Sequence, residues 1–135
     1  MTADQIFERI KQCLVEVLGE SDHPLILDTT MEDLKADSLS AFEITFRMES
    51  EFGIHVAVEE LTARFFGGLK EDEFFDKDRV VTEAGREQLK RVLPASARAA
   101  LEGTITERML FPLLTVRQIV ALTEEKIGKR VVEVR

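Results

Sequence analysis

Residues 38–52 carry more apolar side chains than one buried helix face can use, and this excess constrains the rest of the chain. Ala41, Ile44, Met48 and Phe52 recur at offsets of three and four, the spacing of one helical stripe. Leu39, Phe42 and Phe46 form a second stripe, rotated from the first. A bundled helix buries one stripe, and the second is surplus unless another segment covers it. Two outcomes stay open for Phe46: cover by the later half of the chain, or exposure. Glu43, Glu49 and Glu51 are spread among the stripes, so an exposed second stripe suits docking against a basic, apolar groove. Ser38 stands at the mouth of this helix, directly after Asp37, as a place to attach a group. Gly53 is the expected stop.

Charge narrows the class of partner. The net charge is −8 over 135 residues. Residues 1–60 hold 14 acids and 4 bases, residues 61–114 nine of each, and residues 115–135 three acids and five bases. The acidity therefore belongs to the first half, which repels phosphate backbones and attracts basic protein patches. Nucleic acid is excluded as a partner on this ground, and the lack of Trp and Tyr removes the usual stacking platforms. The single Cys13 permits no intramolecular disulfide and points to a reducing compartment. No apolar run approaches the roughly 18 residues of a membrane span, and the N-terminus lacks a signal-peptide layout. The expected location is cytoplasmic.

Along the chain, Thr2-Ala3-Asp4-Gln5 has the form of a capping box. Ile6, Phe7, Ile10, Leu14, Val17 and Leu18 follow as one helix face, with Gly19 as its end. Cys13 lies beside that face and reads as a small buried hydrophobe. Residues 20–30 form a connection containing Pro24, with Leu25, Ile26 and Leu27 expected to tuck over the core. Residues 30–34 suit one helical turn, and 54–58 a short extended piece. His23 and His55 read as surface histidines. Between 62 and 112 the character changes to mixed charge around Phe65, Phe66, Phe74 and Phe75. Thr82 predicts the start of a helix over 83–93, weakened by Gly85 and broken by Pro94. A second short helix over 95–101 is expected, together making a hairpin with its own small core. Thr115-Val116-Arg117-Gln118 is another capping box. It opens a last helix along Val116, Ile119, Val120, Leu122, Thr123 and Ile127, with Gly128 as its stop. The tail 129–135 either frays or adds an edge strand.

Several chemistries find no support in the pattern. Asp72, Asp76, Asp78 and Glu83 have the wrong spacing for a calcium loop and lack its glycine. There is no Gly-rich phosphate loop, no Cys/His cluster and no G-x-S-x-G elbow. Ser38 with His23 or His55 as base lacks a third group to orient it, which disfavours a hydrolase.

Taken together, residues 2–60 resemble an acyl carrier protein, and residues 115–128 resemble the last helix of one. Asp37-Ser38-Leu39 matches that family's attachment motif, Phe52-Gly53-Ile54 the end of its second helix and Thr115-Val116 the start of its last. The resemblance implies an all-α, acyl-carrier-like bundle of three main helices, with no catalytic residues of its own and no metal site. It implies 4′-phosphopantetheine attached covalently to Ser38 by a phosphopantetheinyl transferase, with Asp37 helping that enzyme hold magnesium and coenzyme A. The arm then holds an acyl group as a thioester. Leu39, Phe42, Glu43, Phe46 and Glu49 map onto the docking face for partners: an acyl-loading ligase or transferase, and condensing or acyl-transfer enzymes of a fatty-acid, lipid or polyketide-type pathway. A monomer is expected. The alternatives are a peptidyl or aminoacyl carrier, and an unmodified adaptor that uses the carrier fold to bind proteins.

Three departures stand out. The family usually has Gly two residues before the Asp, where this chain has Lys35. Arg47 places a positive charge on the second helix. The gap from Ile54 to Thr115 is about 50 residues longer than the family's, so 1–61 and 115–135 are expected to form the carrier bundle and 62–114 an inserted helical subdomain. That insert is expected to pack beside the second helix, where it walls the acyl group or docks a dedicated enzyme.

Overall fold

The computed structural model describes residues 1–134, and the side chains of residues 1–129. Three long helices make the frame: α1 (Ala3–Leu18), α2 (Ser38–Phe52) and α7 (Val116–Val134). Each start is set by a local capping group. Thr2 accepts from the Gln5 N–H at 3.2 Å while the Gln5 side chain accepts from the Thr2 N–H at 2.9 Å. Asp37 caps α2, and Thr115 with Gln118 caps α7 in the same reciprocal way. Helix α1 packs against both α2 and α7. Its Ile6, Ile10 and Leu14 share one buried cluster with Ala41, Ile44, Met48 and Phe52 of α2 and Ile119, Val120 and Leu122 of α7, and Cys13 is buried as well.

Glycine ends one helix as expected and not another. Gly53 takes a left-handed φ of 63°, and its N–H bonds to the Glu49 carbonyl. Gly128 takes no such conformation, and α7 runs on through it to Val134. The expected stop at Gly128 is therefore corrected: glycine permits a left-handed cap but does not impose one. The backbone over 129–134 continues the helix rather than fraying or adding a strand; Arg135 of that tail lies outside the described residues.

The connection into α2 is tightly bonded. Leu25 and Leu27 are half-buried, but Ile26 is exposed, contrary to expectation. Its N–H bonds to the Thr29 hydroxyl and its carbonyl accepts from the Thr29 N–H, which closes a turn that carries the side chain outward. Residues 30–34 make one turn, opened by reciprocal bonds between Thr30 and Asp33. It closes with Ala36 N–H on the Met31 carbonyl and Lys35 N–H on the Glu32 carbonyl, both at 3.0 Å. This is a Schellman closure, and Lys35 holds its left-handed position with φ 58°. That geometry favours glycine, the residue expected there on resemblance.

The middle of the chain is a series of short helices: α3 (Val58–Ala63), α4 (Glu71–Phe74), α5 (Glu83–Val92) and α6 (Leu110–Leu113). Turns of 3-10 helix lie at Arg64–Phe66, Ala95–Leu101 and Glu107–Met109. The extended piece stops at Ala57, because the Glu60 carboxylate accepts from the Ala57 N–H and starts α3 at Val58. Phe66, Phe74 and Phe75 pack tilted or edge-to-face, with ring centroids 4.8–5.7 Å apart, and anchor the charged stretch. The Asp76 carboxylate accepts from the N–H groups of Asp78 and Val80, a turn contact. No separate small core forms here: Phe65, Phe74, Leu89, Leu101 and Ile105 join one buried cluster with Ile6, Ile10 and Ile44. Helix α5 packs on α4 and the 64–66 turn, and α6 on α3. Among the described residues there are isolated β-bridges but no named strand, and no helix is long and apolar enough to cross a membrane.

Candidate functional site

The start of α2 distinguishes two serines that look alike in the sequence. The Ser40 N–H donates to Asp37 Oδ1 at 2.9 Å, and the Ser40 hydroxyl donates to the same oxygen at 2.9 Å. Ser40 is thereby committed to the cap. Ser38, the first helical residue, is exposed, and its hydroxyl engages no partner among the described residues. The Ser40 N–H, then the Ser40 hydroxyl, hold the Asp37 carboxyl below the usual aspartate range. Asp37 thus stays ionised next to a free hydroxyl at a helix N-terminus, where the peptide dipoles favour a phosphate.

The second stripe of α2 is uncovered. Leu39 is 70% exposed, Phe42 62% and Phe46 69%, so the later half of the chain does not cover Phe46. Glu43 is exposed among them. These four residues recur at offsets of three and four and make one continuous face. Glu49 is placed differently: its carboxylate accepts from the Val56 N–H at 2.9 Å and pairs with His55 at 2.8 Å. It ties the 54–56 stretch to α2. Arg47 turns away to pair with Glu16 of α1, so its charge clamps two helices together.

A groove of about 660 Å³ opens beside Ser38. Ala36, Ser38, Ala41 and Phe42 form one side, and Val58 and Thr62 of α3 another. The third comes from Arg108, Phe111 and Pro112. Within 62–114 the groove at Ser38 is lined by Thr62 at one end and by Glu107, Arg108, Phe111 and Pro112 at the other, while α5 packs on α4 and on the turns at 64–66 and 95–101. Arg108, Phe111 and Pro112 carry no sequence signal for such a role, since some seventy positions separate them from Ser38.

The remaining chemical groups lie elsewhere. His23 faces Asp33 at 3.8 Å and His55 faces Glu49, so neither is bonded to Ser38. Burial, then the nearby Glu51 and Glu16 carboxylates, push the Cys13 thiol up to about 11, consistent with an unreactive core residue.

The family model for a phosphopantetheine attachment site matches residues 8–65. The acyl carrier protein of Petrotoga mobilis is 40% identical over 62 residues, 45% of this chain and 73% of the relative. The chain belongs to the acyl carrier protein family. The acyl carrier protein of Streptococcus pyogenes is 38% identical over 55 residues, covering 41% and 74% of the two chains. That of Streptococcus pneumoniae is 35% identical over 54 residues, covering 40% and 73%. No solved structure matches. Members of the family are carriers rather than catalysts, and they work with phosphopantetheinyl transferases and acyl-handling enzymes. The cofactor of this carrier is a covalently attached 4′-phosphopantetheine. The residues fit that group: the exposed, unbonded hydroxyl at the start of α2 offers an oxygen that can be esterified without breaking a native contact.

Proposed function

We propose that Ser38 is the attachment residue, and that this carrier presents acyl thioesters to enzymes of a fatty-acid, lipid or polyketide-type pathway through Leu39, Phe42, Glu43 and Phe46. The observation that carries the reading is the free Ser38 hydroxyl adjoining an uncovered apolar face. In loading, Ser38 Oγ forms the new O–P bond as the phosphoanhydride bond of coenzyme A breaks. Adenosine 3′,5′-bisphosphate leaves with the electron pair, and the hydroxyl proton passes to the transferase or solvent. Asp37, ionised and one residue away, is the group that helps the transferase hold magnesium. Glu49 contributes to the docking face by fixing its far end to the 54–56 stretch. The segment 62–114 is an insertion into the carrier bundle formed by 1–61 and 115–135, and it marks a member with dedicated partners.

The test is an intact mass measured after incubation with coenzyme A, magnesium and a promiscuous phosphopantetheinyl transferase. Wild type gains one phosphopantetheine and Ser38→Ala gains none. No gain with transferases from several pathways, or an equal gain in both proteins, overturns the assignment.

A further inference from the structure

We propose that Lys35 is an acyl acceptor built into this carrier: a thioester held on the arm of Ser38 passes its acyl group to the Lys35 amine when no partner enzyme takes it. The inference rests on Ser38 being the attachment residue and on its arm carrying an acyl thioester. Lys35 is exposed and stands three residues before Ser38, so their Cα atoms lie at most about 11 Å apart. The arm runs over about fourteen bonds from the serine oxygen to its sulfur, and at peptide-like dimensions it extends to roughly 16 Å. An arm of that length brings its thioester to Lys35 by folding back, with no movement of the protein.

Lys35 is set apart from the other bases around it. Residues 1–60 hold four bases. Arg9 pairs with Glu51 at 3.5 Å, Lys11 with Glu8 at 2.9 Å, and Arg47 with Glu16. Lys35 has no carboxylate partner among the described residues. The acids two positions to either side are engaged elsewhere: Asp33 accepts from the Thr30 N–H and Asp37 from the Ser40 N–H, each at 2.9 Å. Nor does the fold need a lysine at this position. Its φ of 58° is left-handed, and glycine would hold the same turn without steric cost. A side chain kept at a strained position beside a functional group points to use rather than to stability. The root of that side chain is also fixed. The Lys35 N–H is held on the Glu32 carbonyl at 3.0 Å, and the turn is anchored by the Met31 N–H on the Leu114 carbonyl at 2.8 Å.

In the transfer, Lys35 Nζ attacks the thioester carbonyl carbon as the neutral amine. The C–N bond forms and the C–S bond breaks. The sulfur leaves with the electron pair and takes up the proton that the nitrogen gives off. The products are an amide on Lys35 and a free arm thiol, and nothing is oxidised or reduced. Tethering makes the step intramolecular, at an effective concentration in the millimolar range. The amide also removes a positive charge from the approach to Ser38. A cargo left waiting thereby changes the charge that a partner enzyme meets there.

The experiment uses the full chain loaded from acetyl coenzyme A by a promiscuous phosphopantetheinyl transferase, its loading verified by intact mass. The loaded protein is freed of acetyl coenzyme A and incubated at about 10 µM, where a millimolar tether exceeds the free species by roughly 100-fold. Hydroxylamine then strips the remaining thioester but leaves amides, and peptide mass spectrometry reads the acetyl on each lysine. Lys35 is expected to be acetylated at a rate independent of protein concentration. That rate should be roughly 100-fold above that of Lys35 in Ser38→Ala incubated with about 10 µM acetyl coenzyme A. It should also run ahead of the exposed Lys70 and Lys77, which likewise have no carboxylate partner among the described residues. Lys35→Arg keeps the charge and is expected to lose its thioester more slowly. A thioester lost without an amide on Lys35 overturns the proposal and leaves Ser38 standing. So does a rate that rises with protein concentration, that matches the Ser38→Ala control, or that is no faster than at Lys70 and Lys77. Absence of the loading mass gain overturns the Ser38 reading and this one with it.

Discussion

Gly85 is the third residue of α5, in its first turn, and replacement of a helical glycine by alanine would ordinarily stabilise a helix by up to about 1 kcal/mol. Here the sign is expected to reverse. A Cβ at Gly85 would lie 2.7 Å from the Phe74 carbonyl oxygen, 2.8 Å from Val81 Cγ1 and 3.2 Å from Phe74 Cδ2. None of these can retreat cheaply. Phe74 and Val81 are buried, and the Phe74 carbonyl accepts from the Thr82 N–H at 2.9 Å and from the Thr82 hydroxyl at 3.2 Å. Thr82 in turn caps α5 by accepting from the Gly85 N–H at 3.1 Å. Overpacking costs about 1–3 kcal/mol, and loosening the cap adds about 1 kcal/mol. Against the helix-propensity gain, the net loss is about 1–3 kcal/mol. For a chain of this length that lowers Tm by roughly 3–5 °C per kcal/mol. Urea titration and thermal melting followed by far-UV circular dichroism read both quantities. A Gly85→Ala protein as stable as wild type, or more so, refutes the close-contact argument. The sequence reading of Gly85 as a weak point of α5 would then be the whole account of it.

Other perturbations follow the same reasoning. Lys35→Gly relieves a left-handed backbone at φ 58°, whose strain is about 1–2 kcal/mol, offset in part by glycine's greater freedom in the unfolded chain; a rise in urea midpoint equivalent to about 0.5–1 kcal/mol is expected. Asp37 has its folded pKa below the ordinary 3.8, so its cap contributes fully above that value and fades as pH falls through the folded pKa. The Tm difference between wild type and Asp37→Ala is accordingly full at neutral pH and shrinks in acid. Phe46→Ala removes an exposed side chain, so stability should stay within about 0.5 kcal/mol while acyl loading by a partner enzyme weakens; unchanged loading kinetics would remove Phe46 from the docking face.

What could be read from the sequence was what depends on near neighbours. The caps at Thr2, Thr82 and Thr115 each satisfy N–H groups within three residues, so the pattern alone locates them. The two stripes of α2 were legible for the same reason, but exposure of the second was not, because it depends on where 62–114 goes. Glu49 shows the limit: its spacing suits the docking face, and only the returning chain at Val56 reveals its internal bond. Gly53 and Gly128 look alike in sequence and behave oppositely: Gly53 turns the chain into the bonded 54–57 stretch, while α7 continues through Gly128 to Val134. The groove at Ser38 was the least legible feature. It needs Arg108, Phe111 and Pro112 to meet α2 across some seventy positions, and no local rule encodes that meeting.

The pairing of α1 with α7 sets an order of events in time. These helices pack together from opposite ends of the described chain, and the bonds from Thr29 and Leu27 to Val116 and Arg117 complete the approach to Ser38. At about 5–20 residues per second, synthesis delivers α7 several seconds or more after α1. Until then α1 lacks the helix it packs on besides α2, and the turn before Ser38 lacks its anchor. The serine is therefore fully set in place only once translation has passed through α7. An enzyme that reads the folded neighbourhood of Ser38 thereby distinguishes chains in which α7 has docked from those in which it has not.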